Sequence, residues 1–392
     1  MNQTANVPFF KPSIGPEEEA AVLRVLRSGW LTTGQEALAF EAEFAQKIQV
    51  PYALSVNSNT SGMLLAMEAS GVSAGKAVIT TPYTFVSTAT CARHLGADVY
   101  FADVEAGTYS IAPAAVEKIL RSPEGRNVAA IVPVHIAGNV CDMDAICALA
   151  RTYGVKVIED CAHSFPSKTS RGYAGALGDA GVFSFYVTKT ITTGEGGMVT
   201  TKDPALAKRM EAMRMHGMDR TAWDRYTSPR ASWEYDIVAP GYKCNMPDLL
   251  AALGRVQLSR AEEFDAKRKE HAAAYNQAFS SLDFVRLPPD GEGNSWHLYL
   301  LRLRLDRLTC SRTTFAQKLQ ERGIGISVHF IPLFHFTYWK QLYPEFRAEN
   351  FPHAQSQYEE TISLPLWPDM TEQMRDHVID SVKELGEEFH GR

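Results

Sequence analysis

Short apolar runs at 52–56, 76–80, 98–101, 128–134, 155–158 and 182–186 alternate with segments at 60–70, 86–95, 113–121 and 142–153, where apolar residues recur at helical spacing. Each run has the length of a strand and each intervening segment can carry the chain back over a sheet. The order therefore predicts an α/β fold with a largely parallel sheet. Ahead of this series, 16–28 opens on Pro16 and three glutamates, Glu17 to Glu19, and predicts a surface helix. From about 246 to 283 the pattern turns helical and charged, and Leu287-Pro288-Pro289-Asp290-Gly291 then breaks it. A strand at 297–305, a helix at 311–322, a strand at 324–330 and a closing helix near 371–389 follow, an α+β set. The expected organisation is a large α/β domain over 1–246, a connecting helical segment over 247–283 and a smaller C-terminal domain over 284–392.

Composition narrows the class. The chain has 392 residues, 45% hydrophobic and 21% charged, in the range of compact globular proteins. Its net charge of −6 gives no footing for nucleic acid, whose binding rests on clustered Lys and Arg. The basic string Lys267-Arg268-Lys269 lies among Glu262, Glu263, Asp265 and Glu270 and reads as one solvated helix face. Six cysteines are scattered without a C-x-x-C pair or metal-ligand spacing to histidine, which suits buried thiols in a reducing cytoplasm. No apolar run nears the ~20 residues needed to cross a bilayer, so no membrane partner is expected.

In an open α/β sheet, ligands bind beyond the carboxyl ends of the strands, so polar residues directly after apolar runs carry the information. Three places qualify. Val155 to Asp160 is a buried-looking strand ending in a carboxylate, followed by Cys161, Ala162 and His163. Val182 to Lys189 is a strand that hands over to a lysine and then to Gly194-Glu195-Gly196-Gly197. Leu54 to Gly62 is a strand that meets Ser58, Thr60 and Ser61 at a helix start, where free N–H groups favour phosphate. Singly, each has an ordinary explanation: a surface lysine, a capping aspartate, a hydroxyl cap. Together they match the needs of pyridoxal 5′-phosphate (PLP): an amine to bond it, a carboxylate for its pyridine nitrogen and a phosphate anchor.

Four ordered strings resemble the DegT/DnrJ-type nucleotide-sugar aminotransferases. They are Glu159-Asp160-Cys161-Ala162-His163-Ser164, Phe183 to Lys189, Gly194 to Gly197 and Gly241-Tyr242-Lys243-Cys244-Asn245-Met246. Ser28 to Gly34 is similar to a loop near the start of that family, and Val328 to Leu333 and Ser363 to Leu366 to its small-domain signatures. The resemblance spans nearly the whole chain. It implies the fold-type I PLP architecture, a large domain with a mostly parallel seven-stranded sheet plus a smaller C-terminal α+β domain, working as a homodimer with sites at the subunit interface.

By the same resemblance Lys189 is the Schiff-base lysine, Asp160 pairs with the pyridine nitrogen, Thr60, Ser61 and Ser184 hold the phosphate, and Phe85 stacks on the ring. Asn245 reaches the phosphate of the partner subunit's site. His163 stands where many relatives have Gln and is a candidate for the ring hydroxyl, with a core histidine, or one that supports a cofactor contact from behind, a nearly equal reading. Thr32 and His329 are candidate substrate contacts, with a hydrogen-bonded domain-interface histidine an equal reading of His329; Trp296 and His297 carry less. Tyr83 and Phe85, two apart on an extended run, are expected to face one side. Where relatives often show Gly-Thr this chain has Asn59-Thr60, and Asn tolerates the positive φ of such a turn.

The implied reaction moves an amino group from L-glutamate to a nucleotide-linked keto-sugar, of the UDP-4-keto kind used for surface polysaccharides. Two rivals are a PLP-dependent sugar dehydratase, in which histidine replaces the lysine, and a non-catalytic protein that senses PLP or a sugar nucleotide. Lys189 weighs against the first, and the full lysine, carboxylate and phosphate set against the second.

Overall fold

The computed structural model describes residues 6–219 and 234–391. Seven strands form the main sheet: β1 (Tyr52–Val56), β2 (Ala77–Thr80), β3 (Asp98–Phe101), β4 (Val128–Val132), β5 (Lys156–Asp160), β8 (Ala180–Ser184) and β9 (Gly197–Thr201). A two-stranded ribbon, β6 (Lys168–Thr169) and β7 (Gly172–Tyr173), lies between β5 and β8 in sequence. The spatial order of the main sheet is β1-β9-β8-β5-β4-β2-β3. Neighbours pair in parallel except at β9, which runs antiparallel to β1 and β8.

The sheet is covered on both faces, which is why its strands read as unbroken apolar runs rather than alternating ones. One layer packs Met63, Leu65 and Met67 of helix α3 (Asn59–Ala69, the third helix after α1, Pro16–Ser28, and α2, Gln35–Ile48), with Ala89 and Cys91 of α4 (Ser87–His94). Other clusters bury Phe40 and Phe44 of α2, Val116 and Leu120 of α5 (Pro113–Arg121), and Ile146 and Ala150 of α6 (Met143–Tyr153). At Gly62 an added Cβ would lie 2.6 Å from Val182 Cγ1, and at Gly197 one would lie 2.8 Å from the Asn59 nitrogen. These two glycines let the start of α3 sit directly on β8 and β9.

A second, antiparallel sheet joins β10 (Val285–Arg286), β11 (Tyr299–Leu303) and β12 (Thr361–Leu364). Its core takes Tyr275 and Phe279 from the long helix Ala261–Phe279, Phe315 and Leu319 from Arg312–Glu321, and Val378, Val382 and Leu385 from Glu372–Phe389. Val7 belongs to the same core and pairs with Ile324, so the N-terminal segment crosses to this unit.

The strand expected at 324–330 does not form. That stretch holds only isolated bridges, Ile324 to Val7 and Ser327 to Ser363, to two different partners, and it bends at His329, so no continuous ladder runs along it. The helices Gln35–Ile48 and Pro204–Met213 were not expected and flank β1 and β9.

Candidate active site

Strand ends build one cavity of about 630 Å³. Asp160 comes from the end of β5, Ser184 from the end of β8, Asn59 and Thr60 from the start of α3 beyond β1, and Phe85 from the loop after β2. Lys189 enters from the turn after β8, and Phe9, Phe10, His297, His329 and Phe330 close the far side. His163 lines the same space.

Asp160 is buried, and its two oxygens are held differently. Oδ2 accepts from Thr88 Oγ1 at 2.7 Å, while Oδ1 accepts from the Ala162 N–H at 3.1 Å and from Asn59 Nδ2 at 3.5 Å. Burial pushes its pKa up; the donors from Thr88 and Ala162 and the charge of Lys189 pull against that. Lys189 is enclosed by protein yet keeps part of its surface open to the cavity. Desolvation brings its amine down to about 8, against the attraction of Asp160, and no hydrogen bond to a described residue holds Nζ. A lysine and a carboxylate therefore share one cavity, with the amine lowered toward the physiological range.

Three imidazoles lie around this pair. The ring of His163 is 4.5 Å from that of His297 and 6.3 Å from that of His329. Burial drives His163 and His297 well below the ordinary value and His329 to about 3, with Lys189 opposing a positive charge on each. His163 Nδ1 accepts from the Ala137 N–H at 3.4 Å, which places the hydrogen of the neutral ring on Nε2. His329 Nδ1 meets Ser363 Oγ at 2.8 Å, and its ring stacks on Phe9 at 5.6 Å. His297 Nδ1 is buried without a hydrogen-bond partner.

The start of α3 leaves backbone donors open toward the cavity. Ser58 caps the helix by accepting from the Ser61 N–H at 3.1 Å, which leaves the N–H groups of Asn59 and Thr60 outside the helix ladder. Thr60 lines the cavity, whereas Ser61, whose Oγ takes a 3.1 Å bond from Ser58 Oγ, does not. The positive φ expected at Asn59 is not found: Asn59 is the first helical residue, and its side chain as well as its backbone N–H faces the site.

Tyr83 and Phe85 do not face one side, because the run bends between them. Tyr83 is fully buried, stacked on Tyr109 and donating to the His329 carbonyl at 2.6 Å, while Phe85 is 58% exposed in the cavity. Asn245 and Thr32 lie outside the chain's own cavity: Asn245 Nδ2 donates to Thr33 Oγ1 at 2.6 Å, and Thr32 is exposed, with its carbonyl taken by the Asp248 N–H. Trp296 is buried against Tyr299 in the second core.

Sequence reasoning missed Thr88, Asn59 as a side-chain donor, and Phe9 and Phe10. The apolar string Val7-Pro8-Phe9-Phe10 could have flagged the N-terminal segment, but nothing in the sequence ties Thr88 to Asp160. Behind Asp160, Glu159 points the opposite way and accepts from the N–H groups of Gly175, Leu177 and Gly178. His135 Nε2 lies 3.0 Å from it, with His135 Nδ1 accepting from Cys141 N–H. That cluster, with Cys161, is buried and has its polar atoms paired.

Residues 12–383 match the DegT/DnrJ/EryC1/StrS aminotransferase family. The chain is 41% identical over 382 residues to the spore coat polysaccharide biosynthesis protein SpsC of Bacillus subtilis, covering 97% of both chains. Among solved structures it superposes on Spr1654 from Streptococcus pneumoniae in its PMP form with a TM-score of 0.90 at 29% identity, covering 98% of this chain and 100% of that one. Spr1654 has also been solved in a PLP form. Helicobacter pylori PseC, an aminotransferase involved in the biosynthesis of pseudoaminic acid, superposes with a TM-score of 0.89 at 28% identity, covering 98% and 100%. With the amine, the carboxylate and the open helix start in one cavity, the chain belongs to the DegT/DnrJ/EryC1/StrS aminotransferase family and is a PLP-dependent aminotransferase of fold type I.

Proposed function

We propose that this enzyme transfers an amino group from L-glutamate to a 4-keto-sugar carried on a nucleoside diphosphate, UDP by resemblance, in the synthesis of an amino sugar for surface polysaccharide. The observation that carries the reading is the pairing of Lys189, its amine lowered to about 8, with a buried, ionisable Asp160 across one cavity. The relatives named above, one of spore coat polysaccharide biosynthesis and one of pseudoaminic acid biosynthesis, support the substrate class.

The donor set suits PLP. Lys189 Nζ is free to bond it, Asp160 Oδ2 accepts only from Thr88 and has a lone pair left for a pyridine N–H, and the start of α3 offers N–H groups with Thr60, and Ser184 nearby, for the phosphate. Bound there, PLP supplies an electron sink for the charge that develops at the donor's α-carbon. Lys189 would hold it covalently, and its Nζ lone pair, when free, would take the proton from the donor's Cα. Asp160 would keep the pyridine nitrogen protonated, Phe85 would cover a ring face, and His163 would offer its Nε2–H to the ring hydroxyl. His329 is assigned to substrate, Thr32, outside its own chain's cavity, to substrate in a partner's site, and Ser61 to the phosphate through the capped turn it helps to form.

Asn245, outside its own chain's cavity, is assigned to the site of a partner in a homodimer. The division at 1–246, 247–283 and 284–392 belongs to the same reading, with the helix Ala261–Phe279 docking on the second core. So does a cytoplasmic setting, which the six free cysteines suit.

Two measurements test this. The purified protein should be yellow, bleach with L-glutamate and release 2-oxoglutarate; in the aminated form it should then turn over at least one member of a panel of nucleotide keto-sugars. Binding without turnover across the panel would favour a sensor. Borohydride reduction followed by peptide mapping should place the pyridoxyl group on Lys189, and finding it on another lysine would overturn the assignment.

A further inference from the structure

We propose that Asn59 is a positioning residue for Asp160, turning Oδ1 toward the protein so that Oδ2 is presented to the cofactor's pyridine nitrogen. The inference rests on the PLP reading above. Asn59 is buried at the first position of α3, and its Nδ2 donates to the Val182 carbonyl at 3.0 Å while standing 3.5 Å from Asp160 Oδ1. The two hydrogens of one amide thus link β8 to the carboxylate on β5. Val182 is the strand partner of Asp160, so both acceptors belong to one rung of the sheet.

The placement of Asn59 is not free to drift. The close approaches at Gly62 and Gly197 seat α3 on Val182, Val199 and the β9 backbone, and Ser58 caps the same turn. The carboxylate is then held from three sides: Asn59 and Ala162 on Oδ1 and Thr88, itself 2.9 Å from Thr84 Oγ1, on Oδ2. An ionised carboxylate offers about four lone-pair positions, so three donors leave one, on Oδ2, for the cavity. The other charged or titratable groups that face Asp160 are Lys189 across the cavity, His135 behind it and Cys91 on α4. None of these occupies the Asn59 position.

A purely structural role, stapling α3 to β8 through the Val182 carbonyl, would also explain a buried Asn, so the test must read the carboxylate and not the fold. The wild-type holoenzyme, Asn59→Ala and Asn59→Gly are each loaded with PLP labelled with nitrogen-15 in the pyridine ring, and its chemical shift is recorded near neutral pH. Ala suits the first turn of a helix and Gly adds no new atom, so one variant stands in should the other fail to fold. Losing a donor to the anion favours its protonated form, which draws the shared proton from the ring nitrogen toward Oδ2. Removing one such donor corresponds to roughly a tenfold change in that proton's distribution.

The expected result is a protonated nitrogen in the wild type and a shift partway to the unprotonated position in the variants, with cofactor retained and turnover down by about tenfold. A protonated wild type with unmoved variants overturns the role of Asn59 alone. An unprotonated wild type overturns the pairing of Asp160 with the ring, and this inference with it; a wild type that takes up no PLP overturns the cofactor assignment itself.

Discussion

A buried amine has an energetic cost that can be measured without any substrate. Lys189 falls from its ordinary 10.5 to about 8 because the cavity walls remove water from the ammonium faster than Asp160 compensates it. A drop of that size corresponds to about 3 kcal/mol at roughly 1.4 kcal/mol per decade of proton affinity. The sign follows from proton binding: the folded state holds fewer protons than the unfolded chain between about 8 and 10.5, so the destabilisation is fully present below 8 and is relieved as pH rises through that window.

Lys189→Met, similar in length and uncharged, should therefore make the cofactor-free protein more stable by up to about 3 kcal/mol near pH 7, with the gain fading by about pH 10.5. Urea unfolding followed by tryptophan fluorescence at both pH values measures it. A variant no more stable than wild type near pH 7, or a gain independent of pH, would refute the account of Lys189 as a desolvated amine. The same shift has a catalytic meaning: near pH 7 about a tenth of the amine is neutral, roughly 300-fold more than for a lysine in water.

Other expectations follow from the same cavity. Asp160→Asn should keep a coloured protein with turnover lower by orders of magnitude, since the amide cannot stabilise a protonated ring nitrogen; near-normal turnover would remove Asp160 from the mechanism. His163, His297 and His329 are held below the ordinary histidine value, so the unfolded chain binds protons that the fold refuses and stability should fall as pH drops below about 6.5. For His329 that loss continues toward about 3, and His329→Gln should flatten the acid limb of a denaturation midpoint plotted against pH; an unchanged limb would sink the claim. Light scattering should show a dimer or larger assembly, and Asn245→Ala should weaken PLP binding without dissociating it; normal PLP affinity would withdraw that residue's role.

What could be read in the sequence followed from burial geometry. The strands β1 to β5 and β8 are covered on both faces, so they appear as apolar runs, and the residues just beyond them, Thr60, Asp160 and Ser184, fall in the cavity by position alone. The helix Gln35–Ile48 is equally legible, since Ala37, Phe40, Phe44 and Ile48 recur at helical spacing and are all buried, but it lies before the first strand and outside the strand–helix alternation. The apolar stretch 324–330 misled because a strand needs a partner along its length, and this one meets only Val7 and Ser363. Thr88 and Asn59 could not be found by any local rule: a threonine in a helix and an asparagine at a helix start are ordinary, and only the strand order brings both to Asp160.

Charge in the cavity bears on what must lie outside it. Among the described lining residues, Lys189 is the one side chain that can carry a cationic charge near neutral pH, since the three imidazoles are held neutral, and the proposed chemistry commits that amine to the cofactor. L-Glutamate brings two carboxylates and a nucleoside diphosphate brings further anionic oxygens. Helix-start N–H groups can meet one phosphate, but the rest need donors that these walls do not supply. On the proposed reading a second chain would supply those donors, and the exposed aromatic residues lining the cavity, Phe85, Tyr186 and Phe336, would give it a surface to pack against. The proposed dimer thus has an electrostatic and a hydrophobic argument that do not depend on Asn245.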